Sequence, residues 1–187
     1  MNLAFSLYAP KDIGKAHQLF GATCGPCSLA AAVRRDVCEL REAFPTFPEK
    51  QFTNLPMMVQ AIRSLGLQGR RTMEWPKHGL VLVSGPERYH SRHWLAVYHD
   101  FVYEVSLETW LPLVVWERDF LPELAIAHDC RPEEWWLEAG IEIGGSDHPE
   151  FLLFQSGSNA GDECFSSRSR NWHPFSETLF AGGDVDL

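Results

Sequence analysis

No stretch of this chain approaches the roughly 20 consecutive apolar residues that a membrane-spanning helix requires, so a membrane protein of the helical kind is not expected. Basic residues are scarce: 16 Lys and Arg stand against 25 Asp and Glu, for a net charge of −9. The longest basic runs are the pairs Arg34-Arg35 and Arg70-Arg71, too little to neutralise a phosphate backbone, and a nucleic-acid partner is not expected. The first ten residues lack a cationic stretch followed by a long apolar one, so a secretory signal is not expected and a cytoplasmic location is. Cysteine is sparse and odd in number: five, with Cys38, Cys130 and Cys164 scattered, which is a poor fit to a disulfide framework. No internal repeat is present. An apolar content of 45% with seven Trp, in 187 residues, argues for one domain with a sizeable core.

What is present is a Cys24-Gly25-Pro26-Cys27 string at the opening of an amphipathic segment in which Leu29, Val33 and Val37 recur at four-residue spacing. Pro26 suits the first helical turn. A helix opening offers unpaired N–H groups and partial positive charge, which favour thiolate over thiol. A second helix is predicted over Leu55–Leu65, with Asn54 as N-cap and Gly66 as the stop. Beyond Gly69 the pattern becomes extended. Leu80–Val83 reads as a central strand, and Trp94–Tyr98 with Phe101–Val105 read as a hairpin across His99-Asp100. Further expectations are a strand at Leu113–Trp116, a short helix at Asp119–Ala127, a helix at Glu133–Ala139 ended by Gly140, and a strand at Phe151–Phe154. From Ser156 onward Gly, Ser, Asn and Asp dominate, so a domain over residues 1–155 is followed by an extended or partly ordered segment over 156–187.

A thiol nucleophile needs a base, and the base an orienting group. His93 opens a predicted strand. With an even-numbered hairpin loop, Leu95 falls opposite Glu104, which makes Glu104 a diagonal neighbour of His93 on one face and puts Ser106 opposite His93. With an odd-numbered loop the facing reverses and Asp100 becomes the candidate. The oxyanion that forms on the attacked carbonyl needs donors; the Cys24 N–H is one, and the Gln18 side-chain amide, six residues upstream, is a second. The remaining histidines, His17, His78, His90, His99 and His128 among them, are surface residues by default.

Three other readings share these residues. Thioredoxin-like disulfide exchange would use both cysteines of CGPC, but it needs a buried strand running into the motif, and Gly14–Thr23 shows no strand alternation. Cys24, Cys27, His90 and His93 could form a Cys₂His₂ zinc set, although His90 and His93 would point to opposite faces of an extended segment. A binding protein with an inert cysteine is the third.

Gln18, Cys24-Gly25-Pro26 leading into Ser28-Leu29-Ala30, His93-Trp94-Leu95-Ala96-Val97 and Val102-Tyr103-Glu104 together resemble the papain-like cysteine peptidases that cleave bacteriocin leaders after double glycine, and their stand-alone relatives. The resemblance spans about Lys15 to Val115. It implies an α+β papain-like fold, with a nucleophile helix packed on an antiparallel sheet. It also implies a Cys24-His93-Glu104 triad with Gln18 in the oxyanion hole, a protein or peptide substrate, no cofactor and no metal. The family usually carries Asp where this chain has Glu104. The same machinery serves deamidases, transglutaminases and acyltransferases, and peptide-bond hydrolysis is what the resemblance adds. Gly144-Gly145 and Gly182-Gly183 resemble double-glycine signals, though such pairs commonly form turns.

Overall fold

A helix precedes the CGPC string. The structure, a computed structural model, describes residues 7–86 and 91–144. Helix α1 (Ile13–Phe20) buries Ala16 and Phe20 and stops at Gly21, whose φ of 74° places it in the left-handed region that glycine adopts without strain. Asp12, just ahead of α1, accepts from the N–H groups of Val37 and Cys38 at 2.8 Å each, which ties the start of α1 to a 3₁₀ segment over Val37–Ala43.

Helix α2 (Cys24–Val33) differs from its predicted form in two ways. It ends at Val33, where Arg34 turns left-handed, rather than running on to Val37. It is also buried on all sides, not along one face: every residue from Gly25 to Ala32 is inaccessible, consistent with a chain of small residues packed between layers. Helix α3 (Phe47–Lys50) is a single turn, and α4 (Leu55–Ser64) begins where predicted, with the Asn54 side chain accepting from the Met57 N–H at 3.0 Å.

The sheet comprises β1 (Gln68–Thr72), β2 (His78–Ser84), β3 (Arg92–Tyr98), β4 (Phe101–Glu104), β5 (Thr109–Pro112) and β6 (Trp136–Gly144), all pairings antiparallel, in the order β1-β6-β2-β3-β4-β5. The molecule is α+β. Its two faces carry separate apolar clusters. Leu80, Leu82, Trp94, Ala96, Tyr103, Ile141 and Ile143 face the α1–α4 side, while Val81, Val83, Leu95, Val97 and Val102 face Trp116, Leu121, Ala125 and Trp135. Cover on both faces explains the uninterrupted apolar run of β2.

Two elements correct the sequence reading. The Glu133–Ala139 helix does not form: Pro132–Glu134 is one 3₁₀ turn, and Trp136–Gly144 is the strand β6, inserted between β1 and β2. Pairing on both edges and burial of Ala139, Ile141 and Ile143 override the local helical pattern. Leu113–Trp116 is helical, not a strand. After Pro112 the chain leaves the sheet edge as α5 (Leu113–Val115), passes through a π turn at Trp116–Phe120 and continues as α6 (Leu121–Ala127), which matches the later part of the predicted Asp119–Ala127 helix. Turning there buries the Trp116 indole under the second sheet face. The predicted strand at Phe151–Phe154 and the 156–187 segment lie outside the described residues. Among the described residues, no helix is long and apolar enough to cross a membrane.

Candidate active site

The hairpin decides which acid meets His93. His99 and Asp100 form a two-residue connection, with His99 in the left-handed region that such turns use. The register runs Tyr98 to Phe101, Val97 to Val102 and Ala96 to Tyr103, so the next step sets Leu95 against Glu104. Glu104 is therefore the diagonal neighbour of His93, and its Oε2 lies 2.9 Å from His93 Nε2. Asp100 remains in the turn at the opposite end of β3.

Glu104 is fully buried, and a buried carboxylate persists only when its oxygens are satisfied. Besides the imidazole, the Trp116 indole N–H donates to Oε2 at 3.0 Å and the Ser106 backbone N–H donates to Oε1 at 3.0 Å. Burial alone would raise the carboxyl pKa. The His93 bond and charge, with these two further donors, outweigh it and hold Glu104 below its ordinary value. The Ser106 contact is itself a correction: β4 ends at Glu104, and Ser106 lies in a 3₁₀ turn over Val105–Leu107 rather than opposite His93.

With Nε2 engaged by Glu104, Nδ1 is the ring nitrogen left over, and Cys24 and His93 lie close enough for each to shift the other's ionisation. Burial works against the imidazolium, yet the bonds and negative charges of Cys24 and Glu104 raise His93 to about 10. Burial likewise works against the Cys24 thiolate, and the His93 bond and charge, together with a bond from the Trp94 backbone, lower the thiol below its ordinary value. All three shifts favour one charge state: thiolate, imidazolium, carboxylate.

Contacts around Trp94 lock α2 to β3. Ser28 Oγ, one turn beyond Cys24, donates to the Trp94 carbonyl at 2.9 Å, and Trp94 Nε1 donates to the Thr53 carbonyl at 2.8 Å. Thr53 in turn sits against Gly25. A Cβ at position 25 would fall 2.4 Å from Thr53 Oγ1 and 2.7 Å from its Cβ, so the glycine of Cys-Gly-Pro is required by close approach.

Gln18 lies exposed on the last turn of α1, separated from Cys24 by the five residues Leu19 to Thr23. Cys27 is fully buried, and burial, reinforced by the neighbouring Cys24 charge, pushes its thiol up to about 12. That state and the helix, not strand, ahead of the motif disfavour dithiol exchange as the resting chemistry. Of the proposed zinc set, His93 is engaged by Cys24 and Glu104, and His90 lies outside the described residues. Two histidines depart from the surface default: His78 Nε2 lies 3.0 Å from the Ala32 carbonyl, and His128 Nδ1 lies 2.8 Å from Ser91 Oγ, both half-buried.

Sequence reasoning missed Trp116 and Thr53 as supports of the site, and set Ser106 against His93 where its backbone N–H in fact donates to Glu104. Trp116 stands twelve residues from Glu104 in a segment expected to be extended, so periodicity gave no pointer to its inward turn. A Thr two residues ahead of a helix carries no signal for a glycine it meets only in space.

No protein-family model matches the chain, and no curated protein matches it. Among solved structures, the chain is similar to the peptidase domain of Streptococcus ComA, described as a bi-functional ABC transporter involved in a quorum-sensing pathway. Identity is 18%, the match covers 64% of this chain and 89% of that one, and the TM-score is 0.38. At that distance the chemistry must be read from the site's own atoms.

Proposed function

We propose that this chain is a papain-like cysteine peptidase that hydrolyses a peptide or isopeptide bond through Cys24, His93 and Glu104. The observation that carries the reading is the buried His93–Glu104 hydrogen bond of 2.9 Å, with Cys24 at the helix opening electrostatically coupled to the same imidazole. The Cys24 thiolate attacks the substrate carbonyl carbon, and the carbonyl π electrons move onto oxygen. The resulting oxyanion is received by the Cys24 backbone N–H, one of the helix-opening donors with no intrahelical partner, and by the Gln18 amide. His93 then transfers its Nδ1 proton to the leaving amine as the C–N bond breaks, leaving a thioester on Cys24 and a neutral imidazole. Neutral His93 takes a proton from water as it attacks the thioester, and the acid product leaves with the thiolate–imidazolium pair restored. Glu104 holds the ring orientation throughout and stabilises its charged form. No step requires a cofactor.

Deamidases and acyltransferases would use the same three groups. The motif set from Gln18 to Glu104 favours peptide-bond hydrolysis, with a peptide or protein substrate. A peptide-library cleavage assay on wild type, Cys24→Ala and His93→Ala tests the proposal. Cleavage by the wild type alone is expected, and equal activity in all three proteins sinks it. Intact masses of wild type and Cys24→Ala that differ only by the substitution would remove self-processing at Gly144-Gly145 or Gly182-Gly183.

A further inference from the structure

The peptidase mechanism leaves Cys27 without a task, although it lies in the first turn of α2, three residues beyond the nucleophile. We propose that Cys27 is the resolving thiol of a peroxide-sensitive switch, closing a disulfide onto Cys24 after a hydroperoxide has oxidised it. This goes beyond peptide-bond cleavage and rests on the nucleophilic state of Cys24, not on its substrate.

Helix geometry supplies the reach. A rise of about 1.5 Å per residue on a radius of about 2.3 Å puts Cα atoms three residues apart at about 5 Å, inside the roughly 4.4–6.8 Å span of disulfides. The Cβ atoms of such a pair lie about 5–6 Å apart, whereas a disulfide needs about 4 Å, so the first turn must tighten. Tightening toward 3₁₀ brings residues i and i+3 into eclipse. The change is confined to the helix opening, where the Cys27 N–H bond to the Thr23 carbonyl, 3.2 Å long, is the intrahelical bond that must lengthen.

Accessibility sets the order of events. Cys24 is partly exposed and Cys27 is not, so an oxidant in solution meets Cys24 first. The other described cysteines have partners elsewhere: Cys38 lies against Asp12, and Cys130 receives the Trp135 indole N–H at 3.3 Å. In the first step the Cys24 thiolate attacks the distal oxygen of hydrogen peroxide. The O–O bond breaks, Cys24 becomes a sulfenic acid, and the departing hydroxide takes a proton to become water. In the second, the neutral sulfenic acid no longer presents the Cys24 charge that helps hold the Cys27 proton in place; Cys27 gives up that proton, its sulfur attacks the Cys24 sulfur, an S–S bond forms, and the sulfenic oxygen leaves with the proton as a second water. Two thiols lose two electrons in total, and one peroxide is reduced to two waters. A reducing dithiol reverses the closure and returns the Cys24 thiolate.

The test uses the wild-type protein. Trypsin cuts after Lys15 and Arg34, so the peptide over residues 16–34 carries Cys24 and Cys27 and no other cysteine. After hydrogen peroxide treatment, acid quench and alkylation in denaturant, that peptide should be lighter by two hydrogens than the unmodified peptide and carry no alkyl group. Dithiothreitol should restore two alkylatable thiols and thiol-probe labelling of Cys24. In Cys27→Ala the same treatment should add two or three oxygens to Cys24, with labelling lost permanently. A wild-type peptide with an oxygenated Cys24 beside an alkylated Cys27 overturns the proposal. So does a peptide with both thiols alkylated. Neither result touches peptide cleavage, which the Cys24→Ala and His93→Ala comparison judges separately.

Discussion

Replacing Glu104 by Gln keeps the side chain's size and removes the negative charge that lies 2.9 Å from His93 Nε2. An opposite charge at this range favours the charged form of its neighbour by about 1–3 pH units, or about 1.4–4 kcal/mol. His93, raised to about 10 against the effect of burial, should therefore lose its proton near pH 7 to 9 in the variant. At pH 9 its protonated fraction would fall from about nine-tenths to between about one-half and one-hundredth. The amide also offers one acceptor oxygen where three donors converge, from His93, Trp116 and Ser106, so at least one donor would meet an NH₂ group instead. Titration of ¹³C-labelled histidine by NMR, with His93 identified by comparison with a His93→Ala sample, reads the midpoint without needing a substrate. A His93 midpoint that agrees within about half a pH unit in the two proteins would refute the assignment of Glu104 as the charge that holds the imidazolium, since the expected shift is larger.

Trp116→Phe removes one charge-assisted donor to Glu104, a loss of about 1.5–3 kcal/mol. It should lower kcat more than it raises KM, with a smaller effect than Glu104→Gln. Gly25→Ala drives a methyl group against Thr53 and should destabilise the fold by about 1–3 kcal/mol, read by urea unfolding, while slowing alkylation of Cys24. Asn54→Ala removes the N-cap of α4 and should cost about 1 kcal/mol in the same assay. Because the Glu104 carboxyl is held below its ordinary 4.5, the stability it contributes is complete above that value and lost as pH falls through the lowered one. Acid unfolding of the wild type should therefore be steeper than that of Glu104→Gln.

Much of the site could be read from the chain because its signals are local. An N-cap Asn54, a Pro56 in the first turn and a Gly66 stop specify α4 within one stretch, whereas the hairpin offered two facings by parity, and the two-residue loop of the fold chose between them. The meeting of His93 with Glu104 follows from that loop length, since a period of two decides which side chains share a face. The elements misread share a different character. Glu133–Ala139 has the pattern of a helix, and it becomes strand because β2 and β1 both lack a partner on that side. Leu113–Trp116 has the apolar run of a strand, and it coils because the sheet has ended at β5 and its second face still needs cover.

The sequence by itself thus singled out the candidate nucleophile Cys24, its helix, the candidate base His93 and two acids, Glu104 and Asp100, that could orient that base, all through spacings of a few residues. The fold alone decided that Glu104 would be fully desolvated and held by Trp116 and Ser106, that Thr53 would leave room only for glycine at position 25, and that Cys27 would be sealed away from solvent beside Cys24. Those outcomes depend on contacts between segments far apart in the chain. Their energies come from burial and from hydrogen bonds that exist only once the layers have closed.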